Sequence, residues 1–132
     1  KENDTSDLLF IATSSGIAPF RSQVLTVLQT QPDRQIDIVF GAHAEEDLFW
    51  LDEFRALASR YANLRYHVTV SHPSDVWKGS VGRVQTVVST LNNLQQKSVY
   101  ICGNPDMTKE LKQLSLETWG IPKAQLHVEG YI

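Results

Sequence analysis

Two short segments bring together the residue types from which a ligand site is built. Thr13-Ser14-Ser15-Gly16, followed by Pro19, sets three hydroxyls and a glycine between an apolar run and an amphipathic one. Cys102-Gly103-Asn104-Pro105 repeats the arrangement, with a thiol, a glycine and two helix-starting residues. Free backbone N–H groups and the positive end of a helix dipole are a natural seat for phosphate. Small and turn-forming residues let a ligand approach the backbone closely. A third candidate is Glu129, a carboxylate at the end of an apolar strand and two residues before Tyr131. Partly buried there, it would suit proton relay or charge stabilisation. His43, His67 and His127 show no metal-ligand spacing, so no metal is expected, and each reads as a packed strand histidine.

Short apolar runs alternating with longer amphipathic ones position these segments. Residues 8–12 are nearly continuous apolar sequence, as expected of a strand covered on both faces. A helix is predicted from near Pro19, since proline is tolerated at the first helical position, with Phe20, Val24, Val27 and Leu28 as its inner stripe. Residues 36–40 form the second strand, closed by Gly41. Leu51, Phe54, Leu57, Ala58 and Tyr61 mark the next helix, with Glu45, Glu46 and Asp47 expected in its first turn. Residues 64–70 read as the third strand and 71–82 as a loop of functional length. Val84, Val87, Val88, Leu91 and Leu94 predict a third helix, and 98–102 a fourth strand. Asn104 as N-cap and Pro105 at N1 begin a helix carrying Met107, Leu111, Leu114 and Thr118 inward, and 125–129 is the last strand.

Five strands alternating with four helices predict an α/β fold, a doubly wound three-layer sandwich around a five-stranded parallel sheet of order 3-2-1-4-5. In such sheets ligands bind beyond the carboxyl ends of the strands, where the winding reverses. Here the reversal lies between strands one and four, so Thr13, Ser14, Ser15 and Gly16 face Gly103, Asn104 and Pro105 across a crevice. Residues 41–43, starting at Gly41, and residues 71–77 flank the far end, a span that fits a dinucleotide. Receiver domains share the architecture but need acids at the first strand's end, where this chain has Thr13-Ser14-Ser15.

With 132 residues and 14.9 kDa the chain is one domain, residues 1–132, long enough to bury a core. Twelve basic against fifteen acidic residues leave a net charge of -3. No basic arm is present, which argues against nucleic acid or an anionic membrane as partner. No apolar run reaches membrane-spanning length. A lone cysteine excludes an internal disulfide framework and suits a reducing, cytoplasmic setting. A polar start without Met suggests a piece of a longer protein.

Five segments, in order and on the expected elements, resemble the NAD(P)H-binding domain of the ferredoxin-NADP⁺ reductase superfamily. They are Ser14-Ser15-Gly16-Ile17-Ala18-Pro19-Phe20, Phe40-Gly41-Ala42-His43, Trp77-Lys78-Gly79-Ser80-Val81-Gly82-Arg83-Val84, Tyr100-Ile101-Cys102-Gly103-Asn104-Pro105-Asp106-Met107 and Val128-Glu129-Gly130-Tyr131. The resemblance covers nearly the whole chain. It implies a nicotinamide-binding half whose partner is a preceding FAD-binding β-barrel domain of the same parent, absent from this chain. Hydride would pass from NADH or NADPH to FAD and on to an acceptor such as an iron–sulfur protein or a flavin. The same resemblance puts Cys102 beside the nicotinamide as a packing and polarity element. It also puts Pro19 on the flavin side and Tyr131 against the flavin face. Ser71-His72 falls where NADPH-preferring members often have Ser-Arg, which tips the expectation to NADH. Trp77 either packs over the adenosine or closes its own loop. Ser14 in place of glycine, and Ile132 after Tyr131, leave room for an alternative, a non-catalytic nucleotide-binding or interaction module.

Overall fold

The computed structural model describes residues 6–13, 17–48, 50–103 and 105–130. Six strands make one sheet: β1 (Asp7–Thr13), β2 (Ile36–Ala42), β3 (Leu64–Val70), β4 (Ser80–Val81), β5 (Lys97–Gly103) and β6 (Leu126–Gly130). All are parallel, in the order β4-β3-β2-β1-β5-β6. The five expected strands and their order stand, and β4 is added at the edge.

Strand β4 lies inside the stretch expected to be loop. Two exposed residues carry no periodic signal, so the pairing with Thr69 and Val70 is a tertiary effect. Three hydrogen bonds fix it. The Trp77 indole N–H donates to the Ser80 carbonyl at 2.9 Å, the Gly82 N–H to the Val70 carbonyl at 3.0 Å, and the Thr69 hydroxyl to the Gly82 carbonyl at 2.9 Å.

The sheet separates two cores, as alternation along strands demands. Phe10, Ala12, Ile38, Phe40 and Cys102 point to one face, where α1 (Ala18–Thr30) and α2 (Leu51–Arg60) bury Phe20, Val24, Leu28 and Phe54. Leu9, Ile11, Val39, Val99 and Ile101 point to the other, against α3 (Val84–Val88) and α4 (Pro105–Glu117) through Val84, Val88, Met107 and Leu111.

Two helices differ from expectation. Glu45, Glu46 and Asp47 form a separate 3₁₀ turn, and α2 begins only at Leu51, after Trp50 in the left-handed region (φ 56°). Its first-turn acids are therefore Asp52 and Glu53. Helix α3 stops at Val88, because the Ser89 and Thr90 hydroxyls bond back to the carbonyls of Thr86 and Val87 and compete with the helical ladder. Leu91 and Leu94 still reach the second core from the turn beyond. In α4 Met107, Thr108, Leu111 and Ser115 are buried and Leu114 is half-buried, whereas Thr118 lies exposed past the helix end.

At the amino-terminal ends of the strands, Asp37 is buried on the α3/α4 side. It accepts hydrogen bonds from Arg65 (Nε 2.9 Å, Nη2 3.1 Å) and Lys97 (Nζ 2.9 Å), and lies 3.1 Å from His67 Nε2. Burial raises the carboxyl pKa, but the bonds from His67, Arg65 and Lys97 overcome it and hold Asp37 well below the usual carboxylate range. This cluster spans β2, β3 and β5 across the sheet. His67, expected as a merely packed histidine, is one of its members.

Candidate nucleotide-binding site

A cavity of about 290 Å³ opens at the carboxyl ends of β1, β2 and β3, on the α3/α4 side. Thr13, Gly41, Ala42, His43 and Ser71 supply its strand-end wall. Gly82, Arg83, Val84 and Gln85 come from the approach to α3, and Asp106, Met107 and Glu110 from the first turns of α4. Thr13 and Asp106, from the two turns expected to oppose each other, line the same space. Of those turns, Ser14, Ser15, Gly16 and Asn104 lie outside the described residues.

Two glycines shape the cavity, Gly41 in the lining and Gly103 against the lining residues Thr13 and Met107. A Cβ built on Gly41 would stand 2.5 Å from Val84 Cγ1. One built on Gly103 would stand 2.3 Å from Met107 Cε and 2.5 Å from Thr13 Oγ1. A larger residue at either place would push a lining side chain into the cavity, so both glycines keep open the space a ligand needs.

The remaining expected site residues fall in three groups. Ser71 lines the cavity, and its hydroxyl lies 3.1 Å from Nδ1 of His72. The exposed His72 ring lies 4.1 Å, centroid to centroid, from His43. His43, read as a packed strand residue, is thus exposed at the cavity rim. Pro105 opens α4, where its carbonyl accepts from the Thr108 hydroxyl at 3.0 Å, and Pro19 lies in the first turn of α1. The side chains of Pro19 and Glu129, and Tyr131 altogether, lie outside what is described.

Cys102 is wholly buried, in the core against α1 and α2. Its side chain therefore faces away from the α3/α4 side on which the cavity opens. Sheet register places it beside Ala12 and Glu129, so Cys102, expected beside the nicotinamide, and Glu129, expected to relay a proton, are neighbours on adjacent strands. Trp77 is accounted for by its own loop, since its ring covers Gly79 and its N–H holds Ser80.

Sequence reasoning missed Arg83, Gln85 and Glu110 as site residues. Arg83 Nη2 lies 3.1 Å from Glu110 Oε2, and the Gln85 amide donates to the same oxygen. Arg83 belongs to the Trp77–Val84 segment, but Glu110 is one turn below the strand end, and helical surface glutamates give no signal by themselves. Nearby, Glu45 accepts from the Ser74 backbone N–H (2.7 Å) and hydroxyl (2.6 Å) and pins the loop after β3. The hydroxyl bond, ahead of the backbone one, holds its carboxyl below the usual range. Among the described residues no group of three or more His, Cys, Asp or Glu side chains could hold a metal, and no helix is long and apolar enough to cross a membrane.

A parallel doubly wound sheet with a cavity at its carboxyl ends is an α/β architecture that places ligands there, nucleotides among them. The chain belongs to the oxidoreductase NAD-binding domain family, whose pattern it matches over residues 10–113. It is 35% identical over 130 residues to ferredoxin–NADP reductase B of Sorangium cellulosum, a match covering 93% of this chain and 53% of that protein. A component of the Na⁺-translocating NADH-quinone reductase of Neisseria meningitidis is 32% identical over 130 residues, covering 89% of this chain and 32% of that one. Solved structures share the fold. A flavohemoglobin from Malassezia yamatoensis, with bound FAD and heme, superposes with a TM-score of 0.85 at 22% identity, over 98% of this chain and 33% of that one. An Amycolatopsis cytochrome P450 reductase gives 0.83 at 22% identity, over 98% and 38%. The chain thus spans about half of one curated relative and a third of the other.

Proposed function

We propose that this domain, spanning residues 1–132, binds a nicotinamide dinucleotide across the carboxyl ends of its strands and presents it to an FAD held by a separate β-barrel domain of the same protein. The observation that carries this reading is the cavity shared by Thr13, Gly41, Ser71 and the start of α4, held open where Gly41 and Gly103 leave no room for a Cβ. When bound, nicotinamide supplies a hydride from its C4 to the flavin.

The chain's own work is positioning, which is worth several kcal/mol when reacting groups are held in line. Ser14, Ser15 and Gly16, ahead of α1, seat the pyrophosphate. Gly103, Asn104 and Pro105 let the nicotinamide half approach the start of α4. Cys102 braces the end of β5 from behind as a buried packing element. Glu129, at the carboxyl end of β6, holds or relays a proton, and Tyr131 covers the flavin side along with Pro19. His72 in place of an arginine, with Ser71, supports NADH over NADPH, because a guanidinium binds a 2′-phosphate bidentately and an imidazole does not. Electrons then pass to an iron–sulfur protein or a flavin, in a cytoplasmic setting that suits the one buried thiol.

Titration of the chain with NADH and NADPH, followed by calorimetry or NMR, tests the reading. Binding of NADH with shifts at Thr13, Gly41 and Gly103 supports it, and binding of neither nucleotide overturns it. Reduction of an acceptor by the chain alone, without added FAD, overturns the assignment of the flavin to a separate domain.

A further inference from the structure

We infer that Glu110 sets the choice between phosphorylated and unphosphorylated ribose in this cavity, through Arg83 and Gln85. The inference rests on the nucleotide-binding reading above and adds a residue that selects within it.

Among the described residues lining the cavity, Arg83 is the only arginine or lysine. Its guanidinium is the natural receptor for an added phosphate. It is already engaged, because Glu110 Oε2 lies 3.1 Å from Arg83 Nη2. The same oxygen accepts from the Gln85 side-chain amide. Glu110 therefore ties the approach to α3 onto α4, across the mouth in which Val84 and Met107 also stand.

The formal charge of the lining, imidazole aside, is negative: one arginine against Asp106 and Glu110. A 2′-phosphate carries about -1.5 to -2 at neutral pH, so it would enter against two carboxylates and compete with one of them for the single guanidinium. A ribose diol meets the opposite situation. Glu110 is an acceptor at the cavity wall and holds the Gln85 amide N–H toward itself, while Gln85 Oε1 is buried and has no hydrogen-bond partner among the described residues. The Glu110 carboxylate can accept from a ribose hydroxyl and repels a phosphate. Acceptors at this wall thus favour the ligand that brings donors. Turning the Gln85 amide over would set its oxygen against the Glu110 carboxylate, acceptor facing acceptor, so the amide stays as it is. Glu110 fixes the amide as well as the guanidinium.

The pair is partly exposed, Arg83 by 61% and Glu110 by 46% of their side chains, so solvent screens it and the effect is moderate. Calorimetric titration of the chain at pH 7.5 and low salt, with adenosine 2′,5′-bisphosphate and 5′-AMP, isolates the 2′-phosphate. Glu110→Gln is expected to raise affinity for the bisphosphate relative to 5′-AMP by about three- to tenfold. Arg83→Gln in the same background is expected to remove that gain, since the freed guanidinium is what receives the phosphate. A Glu110→Gln ratio equal to that of the parent chain, with 5′-AMP still bound, overturns the role of Glu110 and leaves the nucleotide reading standing. Failure of the parent chain to bind 5′-AMP, the bisphosphate or NADH overturns both. A gain that persists in the double variant shows that the guanidinium is not the receptor and also overturns the inference.

Discussion

Asp37→Ala tests the physics of the charge cluster at the amino-terminal ends of the strands. The carboxylate is about 2% exposed and takes bonds from Arg65, His67 and Lys97. Removing it leaves three donors. Arg65 is 51% exposed and His67 31%, so both regain water at small cost. Lys97 is only 8% exposed and would be left as an unpaired buried ammonium. Stripping one partner from a buried pair costs about 3–5 kcal/mol, and the exposure of Arg65 and His67 argues for the lower end, about 3. With a urea m-value of about 2 kcal/mol per molar, the midpoint should fall by about 1.5 M. Circular dichroism during urea unfolding at pH 7 measures it. Asp37→Leu with Lys97→Met, which removes both charges, should recover most of the loss. A pH arm checks the cause. The folded carboxyl is held below its unfolded value of about 3.9, so it binds protons less readily than the unfolded chain does. Its contribution is then complete above about pH 5 and lost progressively as pH falls toward the folded value. Asp37→Ala should abolish that part of the acid dependence. A midpoint within about 0.3 M of the parent, or acid dependence unchanged in the variant, refutes the reasoning.

Gly103→Ala should cost about 1–2 kcal/mol and weaken NADH binding severalfold, because the added methyl meets Met107 and Thr13; thermal melting and calorimetry read the two effects. The flexible end of Met107 gives way more readily than Thr13, which keeps the cost at the low end of overpacking. Cys102, fully buried, should resist Ellman's reagent in the folded chain and react stoichiometrically in urea; rapid labelling of folded protein would contradict its placement. Tyr66→Phe should be neutral or stabilising by up to about 1 kcal/mol in the same urea experiment, since the phenol oxygen is buried without a hydrogen-bond partner among the described residues and burial pushes its pKa up.

The strands were legible because the apolar runs at 8–12, 36–40 and 98–102 stand apart from the amphipathic stretches, and their order followed from the alternation of strands with helices. Nearly continuous apolar runs do not tell which residue takes which face. A doubly wound sheet leaves one expected place for a ligand, the carboxyl ends of the strands, and the cavity lined by Thr13, Gly41 and Ser71 opens there. Features depending on side-chain competition were not legible. Helix α3 reads as a long helix from Val84 to Leu94, yet two hydroxyls after Val88 end it. Strand β4 exists because Trp77 and Thr69 hold a loop against an edge, a pairing no local pattern encodes. Asp37 reads as a polar interruption in an apolar strand, and only its partners 28, 30 and 60 residues away explain it. The cavity's charged wall was hidden likewise, because Arg83 and Glu110 meet only once α3 and α4 lie side by side.

The ionic knot and the glycine-shaped hollow occupy opposite margins of one sheet, separated along β2 by the run from Asp37 to Gly41, about 13 Å of extended backbone. Rigidity is thereby anchored far from the chemistry. Evolution, or an engineer, can retune the upper margin for a new dinucleotide or a new redox neighbour while the lower margin keeps the scaffold folded, and melting behaviour and ligand choice become separately adjustable traits.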